Sequence, residues 1–187
     1  MGCSLHALAG IPQSTCETNL AGIKNAYIAE YEGVVSVGIS GGSVDNTYIV
    51  TAITMTGDSK FCAFHFAKQT GSLTSTLTKD EANGTRYFTN VAALQFSKLE
   101  ARKHLEFSAL AADPVALVIE DNNGKFWYVG YDSYASATEG TAQTGQGFDD
   151  LNGYNISLSA QSAYLPIEIP KDVWDTFKAS YVVEPAS

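Results

Sequence analysis

The stretch VALVIEDNNGKFWYVGY, residues 115–131, decides the fold class of this chain. Val115 to Ile119 is an apolar run rich in β-branched residues, which suit a pleated, buried surface. Asp121-Asn122-Asn123-Gly124 follows. Asp and Asn side chains hydrogen-bond to nearby backbone and Gly supplies a positive φ, so these four residues predict a tight turn. Lys125 to Tyr131 then returns as a second strand. Phe126-Trp127-Tyr128 and Tyr131 suit a central strand covered on both faces, although an aromatic platform for a sugar is a second reading. The whole stretch reads as a β-hairpin.

Working outward, the same period of two recurs. Lys24 to Tyr31, Val34 to Ile39 and Tyr48 to Met55 read as strands, with Ser40-Gly41-Gly42-Ser43 as a turn. In Lys60 to Lys68, Cys62, Phe64 and Phe66 face one way and Phe61, Ala63 and His65 the other; Cys62 is expected to be a small buried hydrophobe. Thr74 to Thr78 is a strand rich in Ser and Thr, expected to be wet on one face or paired with another chain. Asp80-Glu81-Ala82-Asn83-Gly84 is turn chemistry, and Arg86 to Phe96 resumes the apolar alternation. These two runs form a long hairpin. Tyr154 to Leu158 and Tyr164 to Ile169 close the sheet.

Ser97 to Ala112 is the main helix candidate, with Ser97 as N-cap and Glu100 completing a capping box. Leu99, Leu105 and Leu110 supply its apolar side, and Arg102 and Glu106 can pair at i, i+4. Asp113-Pro114 ends it. A short second helix is predicted over 171–179, behind Pro170, with Trp174 and Phe177 three apart. Residues 132–152 have Phe148 and Leu151 as their only clear apolar anchors and read as a long loop, which is uncommon unless functional or disordered. About nine strands against one definite helix predict a mainly β fold, a β-sandwich or a rolled β-barrel with one flanking helix. Residues 1–22 read as an extended N-terminal arm and 23–187 as a single β-rich domain.

The 187 residues fit one domain, and 45% apolar content is enough for a core. Charged residues make up only 17%, leaving a surface rich in Ser, Thr, Asn and Gly; plain β-proteins and proteins that bury their outside against neighbours share that trait. Twenty acidic residues against 11 Lys and Arg give a formal charge of −9. That argues against a general nucleic-acid binder, whose phosphate contacts need a basic footprint, while suiting a surface past which DNA slides. No stretch approaches the ~18 apolar residues of a membrane helix, and no secretory signal is evident. Met1-Gly2-Cys3 only faintly resembles an acylation site, since His6 stands where Ser or Thr is favoured. Asn83-Gly84-Thr85 and Asn155-Ile156-Ser157 fit the glycosylation pattern, which matters only in a secretory pathway.

Catalytic and metal motifs are not evident. Cys3, Cys16 and Cys62 form no C-x-x-C, and their odd number leaves at least one free; Cys3 and Cys16 could pair. His6, His65 and His104 have no ligand-spaced partner. Asp121–Gly124 and Asp149-Asp150 offer oxygen donors for calcium, yet turn chemistry explains the former and it lacks a distal Glu. No enzyme and no cofactor is expected. Lys98, Arg102, Lys103 and His104 gather positive charge on the helix, either as a solvated face or as a docking strip for an acidic neighbour.

Several stretches carry a resemblance: Ala21-Gly22-Ile23-Lys24 leading to Tyr27-Ile28-Ala29; Gly71-Ser72-Leu73-Thr74-Ser75-Thr76-Leu77; Gly124 through Asp132; and Thr144-Gly145, Asp150 and Asn152-Gly153-Tyr154. In these the chain resembles structural proteins of tailed bacteriophages of gut bacteria, of the tail-tube (major tail protein) type. The resemblance implies a sandwich or barrel with a flanking helix, assembled as hexameric rings stacked into a tube through which DNA passes without specific binding. It implies self-association and contacts with other virion proteins, no membrane, and a place in the virion after assembly in the host bacterial cytoplasm. The expected interfaces are 70–86 and 132–152, with Ser72, Thr74, Ser75, Thr76, Lys98, Arg102, Lys103, Thr144, Phe148, Asp149 and Asp150 as interface residues. A capsid decoration protein, a head–tail connector and a carbohydrate-binding or adhesion module are the alternatives.

Overall fold

The structure is a computed structural model that describes residues 19–40, 48–67 and 70–185. Residues 1–18 of the expected arm, with His6, Cys3 and Cys16, and most of the expected Ser40–Ser43 turn lie outside the described residues.

The hairpin at the centre forms as read. β7 (Val115–Asp121) pairs antiparallel with β8 (Phe126–Val129), Leu117 opposite Val129 and Ile119 opposite Trp127. Asp121 builds the turn: its Oδ1 accepts from the backbone N–H of Asn123 and Lys125, each at 2.9 Å, and its Oδ2 from Trp127 Nε1 at 3.0 Å. Gly124 supplies the left-handed residue at φ 77°. On one side the sheet continues to β1 (Ile23–Glu30), β4 (Phe61–His65) and the two-residue β12 (Val182–Val183). On the other it runs to β11 (Ile167–Ile169), β3 (Ile49–Met55) and β2 (Val34–Ser40), making eight strands. Only the β11–β3 and β12–β4 pairs are parallel. A second sheet of four strands has the order β5 (Gly71–Asp80), β6 (Thr85–Ser97), β10 (Gly153–Ser162), β9 (Ser136–Gln143).

The two sheets stack as a sandwich and do not close into a barrel, which removes the barrel alternative. Strands in the middle are covered on both faces, and the sequence pattern follows. In β7, Leu117 and Ile119 pack with Ala26 and Ile28 of β1 against Ala92, Leu94, Ile156 and Leu158 of the small sheet. Ala116 and Val118 turn the other way, toward Tyr27, Phe126 and Tyr128. Two-sided burial gives an unbroken apolar run, whereas one-sided burial in β10 gives alternation. Each fully buried Leu or Ile contributes about 1.5–3 kcal/mol.

The second face is sealed by α2 (Lys171–Tyr181), two residues longer than predicted. Pro170 precedes it, Asp172 lies in its first turn and Lys178 in its last, each favourable to the helix dipole. Its Trp174 is fully buried, stacked on Phe126 with centroids 5.2 Å apart and edge-on to Tyr27 at 4.8 Å.

The other helix departs from its sequence reading. α1 spans Ala101–Ala112, because β6 continues through Ser97. Glu100, not Ser97, is the N-cap, and no side chain caps it, so the capping box does not form. Instead Lys98 takes a left-handed conformation at φ 67° to turn the chain, and Asn152 holds the turn through bonds to the N–H of Lys98 and Leu99. Leu110 is buried and Phe107 half-buried, but Leu105 is 74% exposed, so the docked side is narrower than the leucines suggested. The predicted Arg102–Glu106 pair forms at 3.3 Å.

Three further expectations are corrected. Residues 132–152 are not a structureless loop: Ser136–Gln143 forms β9. Twelve strands, rather than nine, occur among the described residues. Cys62 faces the side predicted, with Phe64, but it is exposed rather than buried, because α1 leaves a groove over that end of β4.

Candidate functional site

The expected interface residues fall at opposite edges of the small sheet. Among the described residues β5 has β6 as its one neighbour and β9 has β10, so each presents an edge that no described strand pairs with. The register places Ser72, Thr74 and Thr76 on the outer face, opposite Ala93, Val91 and Thr89, whereas Ser75 points inward, opposite Asn90. Across the sheet, Ser136, Glu139 and Thr141 of β9 share the outer face with Ser159, Ser157 and Asn155 of β10. Among the described residues this face carries two acids, Glu139 and, at the hairpin tip, Asp80, and no Lys or Arg. It is a plane of Ser, Thr, Asn and Gln with small apolar residues between them.

The β5–β6 hairpin outruns its sheet. β10 stops opposite Phe88, while β5 and β6 stay paired to Asp80 opposite Thr85. At the tip, Asp80 accepts from the N–H of Ala82 and Asn83 and from Asn83 Nδ2. The backbone and side-chain bonds from Asn83 hold its carboxyl below the usual value. The projection is thus a preformed turn.

At the other edge, the chain leaves β9 into a tight loop. Asp150 Oδ2 accepts from the N–H of Gln146 at 2.9 Å and of Gly147 at 2.8 Å, and these bonds lower its carboxyl. Gly145 has φ 71°, and a Cβ there would lie 2.6 Å from Asp150 Cβ, so glycine is required. Thr144 begins this loop and Asp149 is exposed on it. Phe148, read as an anchor, is fully exposed at 114% of its reference area. Asn152 ties this loop to Lys98, so Lys98, Thr144 and Asp150 share one end of the molecule while Ser72 to Thr76 occupy the far edge.

The basic strip on α1 is met by its own carboxylates. Glu100 receives Lys98 at 2.5 Å and Lys103 at 3.6 Å, and Lys103 also donates to the Ser97 carbonyl at 2.8 Å. The Lys98 hydrogen bond and the Lys103 charge lower the Glu100 carboxyl. Three cations thus face two acids, Glu100 and Glu106, which leaves less free positive charge than the sequence suggested.

One polar cluster escaped the sequence reading. Glu120, 6% exposed, ends the apolar run of β7. Its Oε2 accepts from Asn25 Nδ2 at 2.6 Å and Tyr27 OH at 3.1 Å, and its Oε1 from Lys24 at 2.8 Å. Burial alone would raise its carboxyl, but these bonds and the Lys24 charge outweigh it and hold the carboxyl below its ordinary value. Asn25 Oδ1 meets His65 Nδ1 at 2.6 Å, and His65 Nε2 meets Glu184 at 3.0 Å. Lys178 reaches Glu184 at 2.7 Å and lies over the Tyr27 ring. With both oxygens taken by the chain's own donors, Glu120 clasps β1 to β7, and Glu184 extends the clasp to the chain's C-terminal stretch. The available signal was a lone carboxylate closing an apolar strand.

Among the described residues no cluster of His, Cys, Asp and Glu is placed to hold a metal ion, and no helix is long and apolar enough to cross a membrane. No family model, curated protein or solved structure matches this chain.

Proposed function

We propose that this chain is a self-assembling virion subunit, of the kind that stacks rings into the tube of a phage tail. The observation that carries the reading is the small sheet, with a free edge on either side and an uncovered, almost uncharged face. A free edge is a row of backbone donors and acceptors that a further strand can satisfy. When β5 of one copy pairs with β9 of the next, the contact is head-to-tail, and such contacts generate rings where the rotation closes. The β5–β6 hairpin, preformed at its tip, suits a reach to a neighbouring ring.

The outer face then lines the passage. Phosphate binding needs cations, and this face offers none among the described residues, its charges being Glu139 and Asp80 at the hairpin tip. A duplex would slide past without being held. No catalytic step and no cofactor enters this role. The tail-tube assignment itself draws on the resemblance in sequence.

Negative-stain microscopy with sedimentation of the purified protein tests the reading. Stacked rings or open tubes with a central hole are the expected result. A monomer at every concentration, or a particle without a hole, refutes it. Thr74→Lys with Thr76→Lys should leave the thermal midpoint within a few degrees and abolish assembly, since charge on an edge strand blocks strand addition.

A further inference from the structure

A fully exposed aromatic ring and an apolar cavity occupy different patches of the surface. Phe148 stands fully exposed, flanked by Asp149 and Asp150. Its loop cannot easily fold the ring away, because Asp150 fixes the turn from Gln146 to Gly147 and Asn152 pins the loop's far end to Lys98 and Leu99. The cavity, about 330 Å³, lies between β4, α1 and the C-terminal stretch, walled by Phe64, Phe96, Phe107, Leu110 and Tyr154. An apolar cavity of about 150 Å³ already accommodates a benzene ring.

Charge distinguishes this cavity from its neighbour. Arg102, Lys103 and His65 stand at its rim with Glu106 and Glu184. Glu106 is met by Arg102 and Glu184 by Lys178, while Lys103 shares Glu100 with Lys98, which leaves one cation in excess on this side. The adjoining cavity of about 540 Å³, which shares Cys62, Phe64, Glu106 and Leu110 with the first, has Glu30, Asp58, Glu106 and Asp113 in its lining against Lys60 alone. An aromatic knob followed by the exposed Asp149 is repelled there and accepted beside Arg102 and Lys103.

We infer that the Phe148–Asp150 knob of one copy seats in the β4–α1 cavity of a second copy, with Asp149 facing Arg102 and Lys103. The inference rests on the self-assembly proposed above and supplies a second contact beyond strand pairing. Knob and cavity are different patches of one surface, so the contact is head-to-tail and repeats from copy to copy. A single ring in a cavity buries too little for a stable interface, so it acts as a clamp beside the edge strands.

Cys62 lines this cavity and the adjoining one and is exposed, so it reports seating over β4, and the Arg102 and Lys103 variants distinguish the two. In a Cys3→Ser, Cys16→Ser background, Gln146→Cys keeps the knob intact and places a thiol beside it. A short bismaleimide should then give covalent dimers and higher ladders, lost when Cys62→Ala is added. Phe148→Glu, at a position where the fold makes no demand, should raise the assembly threshold on the order of tenfold with an unchanged circular dichroism spectrum. Arg102→Glu with Lys103→Glu should do the same, and Asp149→Lys should partly restore it. Normal assembly without the 146–62 crosslink, or indifferent to Phe148→Glu, overturns the knob and leaves self-association standing. A strict monomer overturns both.

Discussion

Glu120 offers the sharpest test of how the domain is held together. Replacing it with Ala removes the acceptor for Asn25 Nδ2 and Tyr27 OH, on residues 8% and 1% exposed. A buried donor left unsatisfied costs about 1–3 kcal/mol, so two cost about 2–6. Lys24 adds little, because its side chain is 59% exposed and such pairs contribute about 0–1 kcal/mol. We expect Glu120→Ala to destabilise by about 3–4 kcal/mol, a large share of the roughly 5–15 kcal/mol of a typical domain. Glu120→Gln keeps a carbonyl oxygen where Oε2 stands, and should cost about 1 kcal/mol at neutral pH. The carboxyl lies below its ordinary value in the folded state. Its ionic contribution is therefore full above the unfolded carboxylate range and is lost as pH falls through the lower folded value. The gap between wild type and Glu120→Gln should close on acidification. Urea unfolding followed by Trp fluorescence, at neutral pH and near pH 3.5, measures both effects. Glu120→Ala within about 1 kcal/mol of wild type, or a Gln gap independent of pH, would refute the clasp.

Three other outcomes follow from the packing. Leu105→Ser should change stability by less than about 0.5 kcal/mol, while Leu110→Ala should cost about 2–4 kcal/mol, read from thermal midpoints. Gly153→Ala should unfold the protein or lower its urea midpoint sharply, since a Cβ there would come within 2.0 Å of the Phe96 carbonyl oxygen. Lys98→Gly should hold or raise stability by up to about 1 kcal/mol, because it relieves a left-handed backbone while giving up an exposed ion pair; a clear loss by urea titration would show that the Lys98 side chain matters more than its backbone.

What could be read from the sequence follows from how many faces of each strand are covered. β7 and β8 lie between two apolar layers, so the amino acids there had to be apolar, and the turn had to be Asx and Gly. The β5–β6 hairpin was legible for a related reason: β6 alternates against one core, and Asp80 to Gly84 is turn chemistry that the structure uses as such. The start of α1 was misplaced because a plausible capping sequence lay inside a strand, and pairing of Phe96 and Ser97 with Tyr154 and Gly153 outweighed the local preference.

β9 was invisible for a physical reason that bears on the site. Its inner positions are Ala137, Gly140 and Ala142, too small to announce a strand. Gly140 is small because α1 lies against it: a Cβ there would stand 2.9 Å from the Phe107 ring, which itself packs on Tyr154 at 5.1 Å. Its outer positions are polar because nothing in the fold covers them. A strand of small and polar, mostly exposed residues therefore carries neither alternation nor an apolar run. The same absence of apolar anchors that made 132–152 look like a loop fits an edge strand: β9 is held by backbone pairing to β10, and its other row of donors and acceptors faces no strand among the described residues. Because six of its eight residues are exposed, the strand addition proposed for this edge would leave the core undisturbed.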